Sequence, residues 1–344
     1  MATMQDVARL AQVSLSTVSY AINNTRPISA ATRERVERAM RELDFRPNQI
    51  ARSLASRRSN IVALTFPGTE NALGSTIMEF VTSAAQAARE RGYHLVVWPY
   101  APTEADEMLQ MSRQGLADGV VVMEVRQDDP RVRLLDEHRI PLTMIGRSDD
   151  TADPRCVDID FDSTTEEAVA HLVGLGHTRI AFLNHSAASR DRGYGPTLRA
   201  TRGFQSAMAR RGLAADVLWC EETPHAGRRA IQDLQVSHPD VTALVGMNEN
   251  AVIGVMNGLA NAGYSVPQDF SILSIVSSPL IAQMVEPRLH ILHSPGAELG
   301  RLGVLNLLDQ LDERPSTSAP TLLPCRWEPG GSTGPVPTHP RRLR

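Results

Sequence analysis

The hydrophobic period of this chain changes once, at Ile61, and no other feature limits its fold more. Before that point apolar residues recur at three- and four-residue spacing, the period of short helices. After it, short apolar runs alternate with longer amphipathic stretches, the pattern of strands separated by crossover helices. With 344 residues the chain has room for two or three domains, and Ile61 starts the larger one.

In the larger part, IVALTF at 61–66, HLVVW at 94–98, DGVVVM at 118–123 and PLTMI at 141–145 are predicted strands. Helices over 75–91, 103–114 and 130–138 are predicted to separate them. A second set begins near Asp158, with helices over 163–175, 198–211, 226–235 and 250–262. Its strands are expected at 179–183, 216–220, 243–247 and 271–276. Two such sets predict two similar α/β lobes, each a doubly wound parallel sheet. Ligands of such folds sit at the carboxyl ends of the strands. A helix over 295–311 and residues 321–327 are expected to return across the lobes. The Pro/Gly-rich end, 330–344, is expected to be disordered.

The first part is predicted to be all-α. Thr3-Met4-Gln5-Asp6 has the form of a capping box, and Val7, Leu10 and Ala11 then share one face. Ser14 is placed to cap a second helix from Leu15 to about Asn23, with Val18, Ala21 and Ile22 inward. Ser29 is placed to cap a third, reaching about Asp44, with Val36, Met40 and Leu43 on its apolar stripe. Two short helices at a tight turn plus a supporting helix make a helix-turn-helix, whose second helix fits a DNA major groove. A three-helix bundle that touches no nucleic acid would show the same pattern.

Charge separates the two parts. Residues 1–60 carry ten Arg against five acids, a net +5, while the remainder is −9. A basic head on an acidic body points to a polyanionic partner held by the head, although a solvated charged surface has the same composition. Cys156, Cys220 and Cys325 are odd in number and far apart, so neither a disulfide framework nor a metal pair is expected. No run reaches the roughly 18 apolar residues of a membrane span, and no export signal is visible. A cytoplasmic protein without membrane contact is the expectation.

The wording of the head narrows the alternatives. Asp6-Val7-Ala8, Ala11, Val13-Ser14, Thr17-Val18-Ser19, Thr32-Arg33, Arg46-Pro47-Asn48 and Ala51-Arg52-Ser53-Leu54 match in register from Thr3 to Asn60. This segment closely resembles the start of the lactose/galactose repressor (LacI/GalR) family. The body carries weaker matches: Asp118-Gly119, Gly176-His177-Thr178-Arg179-Ile180-Ala181, Gly203-Phe204 and Val266-Pro267-Gln268-Asp269. It resembles that family's periplasmic-binding-protein-like sensor. The implied domains are a helix-turn-helix at 1–45, a hinge helix and linker at 46–60, a two-lobed sensing and dimerisation body at 61–329, and the tail.

The resemblance implies roles. Leu15, Ser16 and Tyr20 take base-reading places, Thr17, Ser19, Asn23 and Arg33 suit phosphate contacts, and Thr3 is a further DNA-binding position. In the hinge, Asn48, Ala51 and Arg52 face DNA, and Leu54 wedges between base steps of the minor groove. The implied partners are double-stranded, roughly palindromic operator DNA, a second copy of the chain, and a small effector, with a sugar as the first expectation. Leu73, Arg147, Arg190, Tyr194, Arg199, Glu222, Asn248 and Val276 occupy the implied effector positions.

Three departures weaken the sugar expectation. Val276-Ser277 replaces an acidic pair, Glu222 stands where an aromatic is usual, and Ala200 replaces an arginine, with Arg199 and Arg202 beside it. A nucleobase, an organic acid or no effector stay open, as does activation in place of repression. Phosphate-loop, dinucleotide, zinc-protease and serine-hydrolase motifs are absent from the sequence, so neither catalysis nor a cofactor is expected. An exported solute receptor would share the body but has no use for the basic head.

Overall fold

A computed structural model describes residues 2–23, 26–45, 58–66, 75–148, 152–315 and 318–338. The chain forms two compact units, Met1–Asn60 and Ile61–Arg344.

In the first unit α1 (Met4–Leu10), α2 (Leu15–Asn23) and α3 (Ala30–Glu42) stand where the capping residues set them. Thr3 and Asp6 close the capping box, the Thr3 amide donating to Asp6 Oδ2 at 2.9 Å. Ser14 Oγ accepts from the Thr17 amide at 3.1 Å, and Ser29 Oγ from the Thr32 amide at 3.2 Å. Each cap satisfies an amide that the first helical turn leaves without a partner. Val7, Val18 and Val36 are fully buried and bring one residue from each helix into the core. Leu10, expected inward, is 47% exposed. The buried stripe of α1 is Val7, Ala8 and Ala11. Leu10 lies about 100° around the helix from its centre.

The second unit contains two six-stranded sheets. The first runs β2 (His94–Trp98), β1 (Ile61–Thr65), β3 (Gly119–Met123), β4 (Leu142–Ile145), β5 (Cys156–Ile159) and β11 (Thr321–Leu323), all parallel. The second runs β7 (Ala215–Trp219), β6 (Ile180–Asn184), β8 (Ala243–Gly246), β9 (Ser271–Ser277), β10 (His290–His293) and β12 (Arg326–Glu328). Here β12 alone is antiparallel. Both central strands of the first lobe are buried on two faces. Val120 and Val122 pack toward the helices Ala105–Arg113 and Pro130–Glu137, while Val121 and Met123 belong to the core on the other side. Such strands lose the alternation of a one-sided sheet.

Strands β5 and β10 were not among the expected elements. Asp158 interrupts the apolar run of β5, and two histidines bracket the two apolar residues of β10. The expected return across the lobes is present. The helix Gly296–Leu311 packs on the first lobe, then β11 joins the first sheet and β12 the second. In the second lobe the helices Pro224–Ser237 and Glu249–Asn261 touch backbone to backbone. A Cβ on Gly227 would collide with the Ala251 carbonyl, and one on Gly254 with that of Pro224.

The expectation of a disordered end fails for residues 330–338, which form a strap on the second lobe. Ser332 is fully buried. Its hydroxyl donates to the Ile272 carbonyl at 2.6 Å and accepts from the His290 amide at 2.8 Å. Gly334 O accepts from buried His177 at 3.0 Å, and the Val336 amide donates to Leu175 O at 2.9 Å. Pro and Gly mark this segment as non-helical, but its backbone groups find fixed partners at the start of β9 and after the helix Phe161–Gly174. Residues 339–344 lie outside the described residues. Ser332→Ala leaves the buried Ile272 carbonyl without its donor and the part-buried His290 amide without its acceptor, a cost of about 1–3 kcal/mol. The transition of the second lobe in thermal unfolding should drop by several degrees. An unchanged midpoint would show that the strap carries no stability.

Candidate functional site

On the head, α2 presents Leu15, Ser16, Ser19 and Tyr20 on the side opposite buried Val18. Leu15 is 46% exposed and Ser16 is exposed, while Thr17, Ser19 and Tyr20 are half-buried. The hydroxyls of Ser16 and Thr17 both meet Ser14 Oγ at 2.8 Å, which gathers three hydroxyls at the amino end of the helix. Helix N-termini attract phosphate oxygens through free amides and the helix dipole. Thr3 is exposed beside that of α1 and holds Asp6. Arg33 spends one nitrogen on Ala21 O at 3.1 Å, so it also ties α3 to α2. Asn23 ends α2, but its side chain, with Asn48, Ala51, Arg52 and Leu54, lies outside the described residues. Arg26 was not singled out from sequence. Its guanidinium carbon stands 5.3 Å from the Tyr20 ring centroid, and it adds a positive charge beside the exposed face of α2.

In the body, the loops after β3 and β4 meet the segment after β6 across the gap between the lobes. Two backbone bonds join them: the Gln127 amide to Gly193 O at 2.9 Å, and the Gly195 amide to Val125 O at 3.2 Å. Between these loops Arg147 Nε donates to Asp158 Oδ2 at 3.0 Å. Arg199, from the helix Gly195–Ala209 of the other lobe, places Nη2 3.1 Å from the same oxygen and donates Nη1 to Arg147 O at 3.0 Å. Burial pushes the Asp158 carboxyl up from its ordinary value, and the charges of Arg199 and Arg147 oppose that rise. Tyr194 holds the N-cap position of the helix of Arg199 without a side-chain bond to it, and burial raises its phenol well above the usual value. Its ring stands edge-on to His185, with centroids 5.9 Å apart.

Four of the implied effector residues thus converge: Arg147, Arg199 and Tyr194 at the gap, and Glu222 next to His185. Glu222 Oε1 lies 3.1 Å from His185 Nδ1 and accepts from the Ser186 amide at 3.1 Å. Burial alone would raise its carboxyl. The bond and charge of His185, helped by the Ser186 amide, instead hold it at about 2. The others are placed differently. Arg190 lies over the Trp219 ring at 4.9 Å and pairs with Asp191 at 2.8 Å. Asn248 is buried, its Oδ1 capping the helix Glu249–Asn261 by accepting from the Ala251 amide at 3.1 Å while Nδ2 donates to Cys220 O beyond β7 at 3.0 Å. Val276 has a left-handed backbone, φ 53°, and packs its side chain on the core. Leu73 lies outside the described residues.

The carboxylate that sequence did not show near Val276 comes from another element. Glu249 Oε1 accepts from Ser277 Oγ at 3.0 Å and from the Ser278 amide at 2.7 Å, and Oε2 from Thr76 Oγ1 of the first lobe at 3.1 Å. Burial raises its carboxyl. Local sequence carried no signal for this contact, because Glu249 starts a helix and faces strand β9 only once the sheet is assembled. A buried ion pair fixes the neighbouring loop: Arg131, fully buried, joins Asp129 at 2.8 Å and donates to Met123 O at 3.0 Å.

A helix-turn-helix unit joined to a two-lobed, periplasmic-binding-protein-like body defines a DNA-binding transcription regulator with a sensor domain. Residues 3–48 match the model of bacterial regulatory proteins of the lacI family, and residues 169–333 the periplasmic binding protein-like domain. Curated relatives include catabolite control protein A of Staphylococcus xylosus, 26% identical over 336 residues, 96% of this chain and 99% of that protein. Another is the HTH-type transcriptional regulator CelR of Thermobifida fusca, 30% identical over 317 residues, 90% of this chain and 92% of that one. The chain belongs to the lacI family of bacterial regulatory proteins. Among solved structures, a CelR–cellobiose complex superimposes with a TM-score of 0.71 at 26% identity, covering 96% of this chain and 100% of that one. A Lac repressor dimer bound to operator and an anti-inducer shares the fold, with a TM-score of 0.83 at 21% identity, covering 97% and 99%. No helix among the described residues is long and apolar enough to cross a membrane.

The depressed carboxyl of Glu222 sets a pH dependence. The unfolded chain takes up this proton near the ordinary 4.5, and the folded one only at about 2. The group therefore stabilises the fold fully above about 4.5 and loses that contribution as pH falls toward 2. Glu222→Gln should flatten the decline of the melting temperature across that window. An identical acid-side slope in both proteins would show that the His185 contact contributes nothing.

Proposed function

We propose that the chain is a repressor of sugar-utilisation genes that binds a roughly palindromic operator as a homodimer and responds to a sugar in the gap between its lobes. The convergence of Arg147, Arg199 and Tyr194 at the strand ends of two lobes carries the effector half of this proposal. The recognition face of α2 carries the DNA half. The CelR structure, a complex with cellobiose, supports a sugar, and the Lac repressor structure supports a dimer on operator DNA. The protein works in the cytoplasm, where its DNA is, and has no catalytic role.

In this proposal Leu15, Ser16 and Tyr20 read bases, while Thr3, Thr17, Ser19, Asn23, Arg33 and Arg26 hold phosphates. Tyr20 offers one hydroxyl donor, not the paired donors an arginine gives guanine, so thymine methyls against Leu15 supply part of the preference. The hinge at 46–60 folds on the minor groove, with Asn48, Ala51 and Arg52 along the DNA and Leu54 as the wedge. A coupling of only about 1–3 kcal/mol between the two sites suffices to change operator occupancy roughly five- to 150-fold.

Genome-wide capture of bound DNA gives the operator, and gel-shift titration on that site tests the residues. Affinity should fall by about a thousandfold between 50 and 200 mM salt if some six phosphates are contacted. A flat salt dependence would exclude the phosphate roles. Leu54→Ala should weaken operator binding by roughly tenfold or more with the melting temperature unchanged. Equal affinity would remove the wedge.

A further inference from the structure

The charge arrangement around Arg199 says more about the effector than its being a sugar. Arg147 and Arg199 meet at one oxygen of one carboxylate, Asp158 Oδ2, at 3.0 and 3.1 Å. The side chains are 15% and 13% exposed, and that of Asp158 is 5% exposed. Two cations thus share one anion in a place largely withdrawn from water. The nearby acids are committed elsewhere: Asp129 to Arg131, and Glu222 to His185. Burial favours the neutral form of Glu124, and Cys156 and Tyr194 keep their protons through burial as well.

The hydrogen-bond account is incomplete in the same place. Arg199 Nη1 is used on Arg147 O, but Nε and Nη2 have no hydrogen-bonding partner among the described residues. Nη2 is near enough to Asp158 for charge attraction without the angle of a bond. Two positions earlier in the same helix, Thr197 Oγ1 is fully buried and also lacks a partner there. A buried guanidinium with idle donors costs free energy until an acceptor arrives. A sugar hydroxyl accepts a bond but leaves the extra positive charge uncompensated. A carboxylate or phosphate oxygen pair matches the planar fork of arginine and cancels the charge.

We infer that the effector carries a negative charge, a carboxylate or phosphate group held by Arg199 and Arg147 at the gap between the lobes. The inference rests on the proposal that this gap is the effector site. The anion adds a second acceptor opposite Asp158, and because Arg199 stands on one lobe and Arg147 on the other, it binds the closed pair more tightly than the open one. Neutral sugars of the same shape lack that gain.

The test is isothermal titration of the full chain with hexoses and disaccharides, with the uronates, aldonates and phosphates of the same sugars, and with succinate and inorganic phosphate. An acidic sugar should bind at least about tenfold more tightly than its neutral parent, with affinity falling as salt rises. Separate uronate and phosphate members show which acid is meant. Arg199→Met should erase the preference to within about twofold; Arg147→Gln, at the more exposed position, should reduce it and guards against misfolding of the first variant. Because the comparison of matched ligands is made on the unmodified chain, it does not depend on either variant. If only neutral sugars bind, the charged effector is overturned and the sugar sensor stands. If only the non-sugar acids bind, the sugar is overturned and the charge stands. If nothing in the panel binds, both fall.

Discussion

The body is organised by the path of the chain, which passes between its two lobes three times. It leaves the first sheet after β5, returns after β10 and crosses again between β11 and β12. The first sheet is therefore complete only when β11, from the far end of the body segment, joins β5, and the second only when β12 joins β10. Parallel strands joined by crossover helices bring the carboxyl ends of β1–β5 to one edge of their lobe and those of β6–β10 to one edge of the other. The loops at those ends hold the charged residues of the candidate site.

Holding charge at that edge requires pairing, since an unpaired buried ion is costly. The pairs differ in completeness, and the difference is informative. Arg131 and Asp129 satisfy one another, and Arg131 donates to three carbonyls besides, which suits a fixed loop. Glu249 receives three donors from both lobes, and His293 lies between Glu79 of one lobe and Glu328 of the other at 3.2 and 3.3 Å. These contacts tie the lobes together. Arg199 has donors left over at the point where the lobes meet; Arg179, paired with Asp216 and Asp240 just before β6, also leaves Nε without a hydrogen bond.

The head was legible almost residue by residue. Its caps are local, so Thr3, Ser14 and Ser29 announced the three helices, and Val7, Val18 and Val36 announced the core. Leu10 was misplaced because a seven-residue helix has too narrow a stripe to show its centre. In the body, long apolar runs gave most strands, while β5 and β10, short and broken by polar residues, gave no periodic signal. The strap at 330–338 has the composition of a disordered tail, and only its partners on β9 and His177 make it ordered.

Sequence alone determined what depends on neighbours within a few residues: the helix-turn-helix, its exposed reading face, the alternation that makes two parallel sheets, and the family. Through positional resemblance it also pointed to Arg147, Tyr194, Arg199 and Glu222 as candidate effector residues. Tertiary structure decided what depends on residues far apart in the chain. It turned Asn248 into a helix cap and brought Glu249 to the end of β9. It moved Arg190 onto Trp219 and set Asp158 between two arginines that approach from different lobes. Local periodicity does not record such meetings, because they arise from the folding of whole lobes, and electrostatic energy is fixed only by the final distances and by the water excluded around them.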